Sequence, residues 1–263
     1  MFAAFCYSGG VNSTALALEI ALGYYPAPDV AINLPTDADD RTTREGAAIA
    51  ADLLRAVNIP CFTLAKANIL AIEAAACNPD TIGPQPPPLN IPLHYAAPGG
   101  ARGNLRRQCT RRYKTRPLRA ALRAISRAIH THTGTPHEPA EFWLGFSTDE
   151  PMRCRQPEEH WLRHRFPLIE LGHSRPDCRA ILDAHGYHHV IRSSCLMCPY
   201  RAQADWAAMR SHNPDAFELA ARYDELIRDA RPAIGQLYVH RSRRPLRDAV
   251  SPQPLHDPDI RGT

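Results

Sequence analysis

No stretch of the chain approaches the ~18 consecutive apolar residues of a membrane-spanning helix. With 44% hydrophobic and 22% charged residues, the composition excludes a membrane protein and a wholly disordered one. A soluble, globular protein with no membrane partner is expected. The opening MFAAFCYSGG has no basic segment and runs at once into a glycine turn, so it does not read as a secretory leader, and the cytoplasm is the expected compartment. Lysine is nearly absent. Of the 31 basic residues, 29 are arginine, a bias that suits forked phosphate binding and that arginine-rich codon usage produces equally. In a reducing compartment eight cysteines do not form a disulfide framework, so metal or sulfur chemistry is the reading they suggest.

The net charge of +4 hides a division: residues 1–100 carry −5 and residues 101–263 carry +9. Along the first part, apolar runs at 2–7, 30–34 and 61–65 alternate with helical spacing at 13–22 and 42–57. Alternating strands and helices imply a parallel sheet with right-handed crossovers, whose ligands bind at the carboxyl ends of the strands. Residues 78–103 are rich in proline and glycine and read as a long loop or lid. Beyond it, 141–147 and 166–171 read as strands and 176–185 as a helix. Residues 201–231 read as two helices broken at Asn213-Pro214. The expected architecture is therefore α/β, a parallel sheet flanked by helices, with a smaller C-terminal helical region bearing cysteines. Its expected parts are 1–172, 173–250 and a flexible tail at 251–263.

Ser8-Gly9-Gly10-Val11-Asn12-Ser13 lies between the first strand and the first helix. Glycines there let successive backbone N–H groups turn toward one point, and the helix N-terminus and hydroxyls add to the attraction for an anion. A plain tight turn is the competing reading. The segment lacks the longer glycine spacing and the lysine of the Walker loop, and it is not the dinucleotide fingerprint.

Four segments in order carry a resemblance. Ser8-Gly-Gly-x-x-Ser13 is similar to the pyrophosphate loop of the adenine nucleotide α-hydrolase superfamily, the PP-loop ATP pyrophosphatases and sulfonucleotide reductases. Cys109-Thr110-Arg-Arg-Tyr-Lys114-Thr-Arg-Pro117-Leu118 resembles the Cys-Cys-x-x-x-Lys-x-x-Pro-Leu segment of phosphoadenylylsulfate and adenylylsulfate reductases. Gly145 to Arg153 resembles their Gly-x-Arg-x-x-Glu segment, and Cys195-Leu-Met-Cys198-Pro199 their late cysteine pair. The chain most resembles the short reductase-like proteins of phages and bacterial accessory loci. The resemblance implies a five-stranded parallel sheet, a nucleotide held by Ser8, Gly9, Gly10, Asn12, Ser13 and Asp37, and Lys114 and Arg153 as catalytic residues on the substrate anion. It departs in two places. Asn12 stands where many ATP pyrophosphatases have Asp, which removes a charge that could hold magnesium. No cysteine follows Cys198, so the mobile attacking thiol of the reductases has no counterpart.

In the adenylylsulfate reductases an early cysteine pair and a late Cys-x-x-Cys hold a 4Fe–4S iron–sulfur cluster. Cys109, Cys195 and Cys198 match three such ligands, while Thr110 occupies the fourth place. Cys178 is the first choice to complete the set and Cys154 the next, with structural zinc as the competing metal. Cys6, Cys61 and Cys77 read as core. Asp149-Glu150 reads as a magnesium or substrate site, or as an acidic helix start. Residues 102–127 hold ten basic side chains and no acid. On a helix Arg112, Arg116, Arg119 and Arg123 would share one face, a polyanion-binding surface or merely a solvated one.

These residues imply an enzyme that binds ATP or an adenylyl nucleotide and cleaves at the α-phosphate to adenylate an acceptor, in sulfur transfer such as thiolation or phosphorothioation. A nucleic-acid acceptor and a sulfur donor such as a cysteine desulfurase are the expected partners. The alternatives are a sulfonucleotide reductase with an external thiol, and a non-catalytic nucleotide- or nucleic-acid-binding module of a modification complex.

Overall fold

The computed structural model of the chain describes residues 1–77, 87–133 and 139–251. In chain order the elements begin with β1 (Ala3–Tyr7), α1 (Val11–Ala21), β2 (Val30–Asn33), α2 (Arg41–Ala56) and β3 (Cys61–Thr63). Then follow α3 (Ile69–Ala75), β4 (His94–Ala96), β5 (Arg102–Asn104), a π-helical turn at Thr110–Thr115 and α4 (Arg116–Thr133). Next come β6 (Ala140–Leu144), β7 (Leu162–Arg165), α5 (Pro167–Glu170) and α6 (Arg175–Ala184), and last α7 (Gln203–His212), α8 (Pro214–Ile227), β8 (Gln236–Tyr238) and α9 (Leu246–Ala249).

These form two compact units, one of residues 1–67 and 111–194, the other of residues 68–110 and 195–263. In the first unit β3-β2-β1-β6-β7 form a five-stranded sheet, and every neighbouring pair is parallel. Parallel sheets need both faces covered, and the side chains of β1 show how. Phe5 and Tyr7 pack with Leu16 and Ile20 of α1, Leu54 of α2 and Leu182 of α6. Ala4 and Cys6 turn the other way, toward Leu118 and Leu122 of α4. This is an α/β unit with an all-parallel sheet flanked by helices, consistent with a Rossmann-like fold. The order reverses at β1, whose neighbours β2 and β6 are fed from opposite directions, so a crevice opens at the carboxyl ends beside Ser8.

The second unit pairs β5-β4-β8 as an antiparallel sheet with α3, α7, α8 and α9. Asp224 of α8, fully buried, organises it. Its carboxylate accepts hydrogen bonds from the Val239 N–H at 2.7 Å and the Leu246 N–H at 3.0 Å. It also pairs with Arg228, whose guanidinium lies 3.9 Å from the Tyr238 ring centre.

Several sequence expectations change. Residues 166–171 are not a strand: Pro167 starts the short helix α5, as proline favours at a first helical position, and the strand is the preceding β7. The proline- and glycine-rich stretch includes β4 and β5, while its residues 78–86 lie outside the described residues. The boundary expected near 172 has no counterpart in the two units, because the second draws its sheet from segments on either side of α4. The tail expected at 251–263 lies, from 252 onward, outside the described residues.

Candidate functional site

The Gly9-Gly10 loop is built for close approach. Gly9 has φ of 76°, a backbone state that glycine adopts without strain. A Cβ on it would fall 2.1 Å from the Thr43 carbonyl oxygen, and one on Gly46 would fall 2.1 Å from the Gly9 carbonyl oxygen. The loop and α2 thus touch through backbone alone. Gly10 caps α1 in an extended conformation without a side-chain bond, so the first N–H groups of this helix face the crevice uncapped by any side chain of Gly10.

Hydroxyls gather at the loop. The Ser8 N–H donates to Ser13 Oγ at 3.2 Å, and Ser13 Oγ donates to the Gly10 carbonyl at 3.1 Å. Ser8 Oγ, exposed, lies 3.4 Å from Ser13 Oγ and 3.4 Å from Ser193 Oγ. Next to Ser8 a recess of about 80 Å³ is lined by Cys6, Asn33, Asp39, Thr43, Arg44 and Lys114 among others. Burial pushes the Cys6 thiol up to about 12, against the pull of Lys114. It stays neutral near pH 7. Lys114 Nζ sits 3.8 Å from Asp39 Oδ1, and the π-helical turn that delivers it is a local feature common at functional sites.

Ser8 and Lys114 line the recess, and Gly9, Gly10 and Ser13 lie in the loop that follows Ser8. Asn12 is adjacent, its side-chain amide donating to Glu150 Oε2 at 3.3 Å. Asp37 does not line the recess; Asp39 does. The helix N-cap is neither of these but Asp40, which accepts from the Thr43 N–H at 2.9 Å. An Asp-x-x-Thr spacing was the available signal for that cap. Arg153 also stands outside the recess: it pairs with Glu150, and its guanidinium stacks 4.1 Å from the Phe146 ring centre. Arg175 holds the same Glu150 at 3.2 Å, and Asp149 accepts from the Arg175 N–H and from Ser147 Oγ. The Asp149-Glu150 pair is therefore engaged with protein donors, which does not suit a direct magnesium site.

The cysteines divide between the units. Cys109, Cys195 and Cys198 belong to the second unit. There their segments adjoin, through Arg107 stacked 5.4 Å from the Tyr200 ring centre and His94 Nε2 3.3 Å from the Pro199 oxygen. Cys178 belongs to the first, fully buried in the core with Leu168 and Leu182, and burial raises its thiol to about 12. That thiol packs as a hydrophobe. Cys154 is also in the first unit, its Sγ 3.7 Å from the Glu150 oxygen. Among the described residues no group of three or more His, Cys, Asp or Glu is assembled to hold a metal.

The arginine face is partly engaged. Arg119 pairs with Glu159 at 2.7 Å, and Arg123 stacks 5.4 Å from the Trp161 ring centre, while Arg112 and Arg116 are exposed. Among the described residues no helix is long and apolar enough to cross a membrane. No protein-family model matches the chain, and no curated protein matches it. The site must therefore be read from its own chemistry.

Proposed function

We propose that the chain is a PP-loop enzyme of the adenine nucleotide α-hydrolase type. In this reading it binds ATP or an adenylyl nucleotide at Ser8–Ser13 and cleaves it at the α-phosphate. The observation that carries this reading is the glycine loop at the switch point of the sheet, with the N-terminus of α1 and the Ser8 and Ser13 hydroxyls beside a recess that Ser8 and Lys114 line. Backbone N–H groups and a lysine fit a phosphate chain, and the apolar Cys6, Leu34, Pro35 and Leu118 line the neighbouring recess.

The reaction transfers an adenylyl group. A nucleophilic oxygen of the acceptor attacks the α-phosphorus and forms a new P–O bond, while the bond to the bridging oxygen breaks and pyrophosphate leaves with that electron pair. The acceptor proton passes to solvent. The acceptor then carries AMP as a leaving group that a sulfur nucleophile can displace. The loop N–H groups would stabilise charge gathering on the departing pyrophosphate, an electrostatic contribution. The direction toward sulfur transfer, and toward a nucleic-acid acceptor, rests on the resemblance of the cysteine segments and on exposed Arg112 and Arg116.

The test is pyrophosphate release from ATP with candidate nucleic acids, in the wild type and in Lys114→Ala. Release that depends on the acceptor and falls at least about tenfold in the variant supports the reading. Sulfite release from an adenylylsulfate would point instead to the reductase. A second reading, nucleotide binding without turnover, is favoured by one observation: Glu150 is tied to Asn12, Arg153 and Arg175 rather than left to act on a ligand. Saturable ATP binding with no pyrophosphate release would select it.

A further inference from the structure

Ser193 reaches the glycine loop from 180 residues downstream by way of a strap whose two ends are fastened in the first unit. At its base Val190 is fully buried, and the Arg179 guanidinium donates to the Val190 carbonyl and, at 2.8 Å, to the Tyr187 carbonyl. At its far end the Ser194 N–H donates to Thr43 Oγ1 at 3.3 Å and Ser194 Oγ to Asp40 Oδ2 at 3.3 Å, both at the start of α2. Between these clamps Ser193 lies over Gly10, so closely that a Cβ on Gly10 would fall 2.8 Å from Ser193 Oγ.

The Ser8 hydroxyl lies 3.4 Å from those of both Ser13 and Ser193, longer than the ~2.5–3.0 Å of a good O–H···O bond, so neither contact satisfies it well. A separate observation also points to a ligand. Asp39 is 5% exposed and lines the adjoining recess. Its Oδ1 has no hydrogen-bond donor among the described residues, only Lys114 at 3.8 Å. A buried carboxylate oxygen left in that state calls for a donor from outside the chain.

We propose that Ser193 is a phosphate-binding residue of this site, its hydroxyl donating to the phosphate chain of a nucleotide beside the Gly9-Gly10 loop. The inference rests on the glycine-loop reading given above and adds to it a residue that neither the loop motif nor its spacing contains. It is tested by titrating ATP, inorganic pyrophosphate and adenosine into the full chain and its Ser193→Ala and Ser193→Thr variants. ATP and pyrophosphate affinities fall about tenfold in the alanine variant, as for loss of a hydrogen bond to a charged group. Threonine restores them, and adenosine affinity is unchanged. Wild-type affinity of Ser193→Ala for pyrophosphate overturns the proposal while leaving the loop reading in place. Equal weakening of adenosine overturns it in favour of a structural role for the strap. A wild-type chain that binds none of the three overturns the loop reading itself, and this proposal with it.

Discussion

The two units solve different problems. The first buries a parallel sheet between helices and leaves its backbone N–H groups, hydroxyls and one lysine at the carboxyl ends of the strands, where the loop and α2 meet through glycines. The second has strands of three residues each, and the buried Asp224, paired with Arg228, joins α8 to the segments of β8 and α9. In the first unit polar groups are left at the strand ends, whereas in the second a buried carboxylate is engaged by backbone N–H groups of two later segments.

The sharpest way to break this comparison is to remove the hub. Asp224→Ala leaves Arg228 unpaired and the Val239 and Leu246 N–H groups without their acceptor, and should cost about 3–5 kcal/mol. Urea unfolding measures it, and a loss below about 1 kcal/mol would mean that the second unit is held some other way. In the first unit the matching change is Gly9→Ala, which meets the Thr43 carbonyl and requires a residue other than glycine at positive φ. It should cost about 2–3 kcal/mol and abolish ATP binding. Unaltered melting and binding would show that the loop and α2 do not need their close contact.

How far the sequence anticipated each unit follows the same division. The strand–glycine loop–helix at the start was legible because parallel strands buried on both faces read as apolar runs, and α1 and α2 have helical spacing of several turns. Ser8, Gly9, Gly10 and Ser13 fall in that loop, and Lys114, singled out by the resemblance, lines the recess beside Ser8. The strands β4, β5 and β8 were not legible, since three residues give no periodicity and their partners lie more than 130 residues apart in the case of β4 and β8. Cys178, near a Cys-x-x-Cys in sequence, packs into the core of the first unit, which its spacing does not reveal. Ser193 and Asp39 could not be found by motif, since only the fold brings Ser193 to the loop and only burial distinguishes Asp39 from Asp37.

The thiols sharpen the contrast through pH. Cys6 and Cys178, both in the first unit, are raised from 9.0 to about 12 by burial, so the folded chain keeps protons that the unfolded chain releases above pH 9. Their contribution to stability is complete below pH 9 and declines as pH rises toward 12. Denaturation midpoints in reductant at pH 8 and pH 10.5 should fall accordingly, and a flat profile would show that these thiols are not buried in the neutral form. The smallest effect belongs to Arg119→Ala, which loses a half-exposed pair with Glu159 and should change stability by under about 1 kcal/mol and leave ATP affinity as it is. A loss of ATP affinity there would extend the site along α4.

The most direct test of the central claim is an isothermal titration of ATP into the full chain and its Ser8→Ala variant, since Ser8 is exposed and its hydroxyl is not needed by the core. The predicted result is saturable one-to-one binding to the wild type, weakened about tenfold in the variant. No binding to the wild type, or equal affinity in both, would contradict the assignment of the glycine loop as a phosphate site.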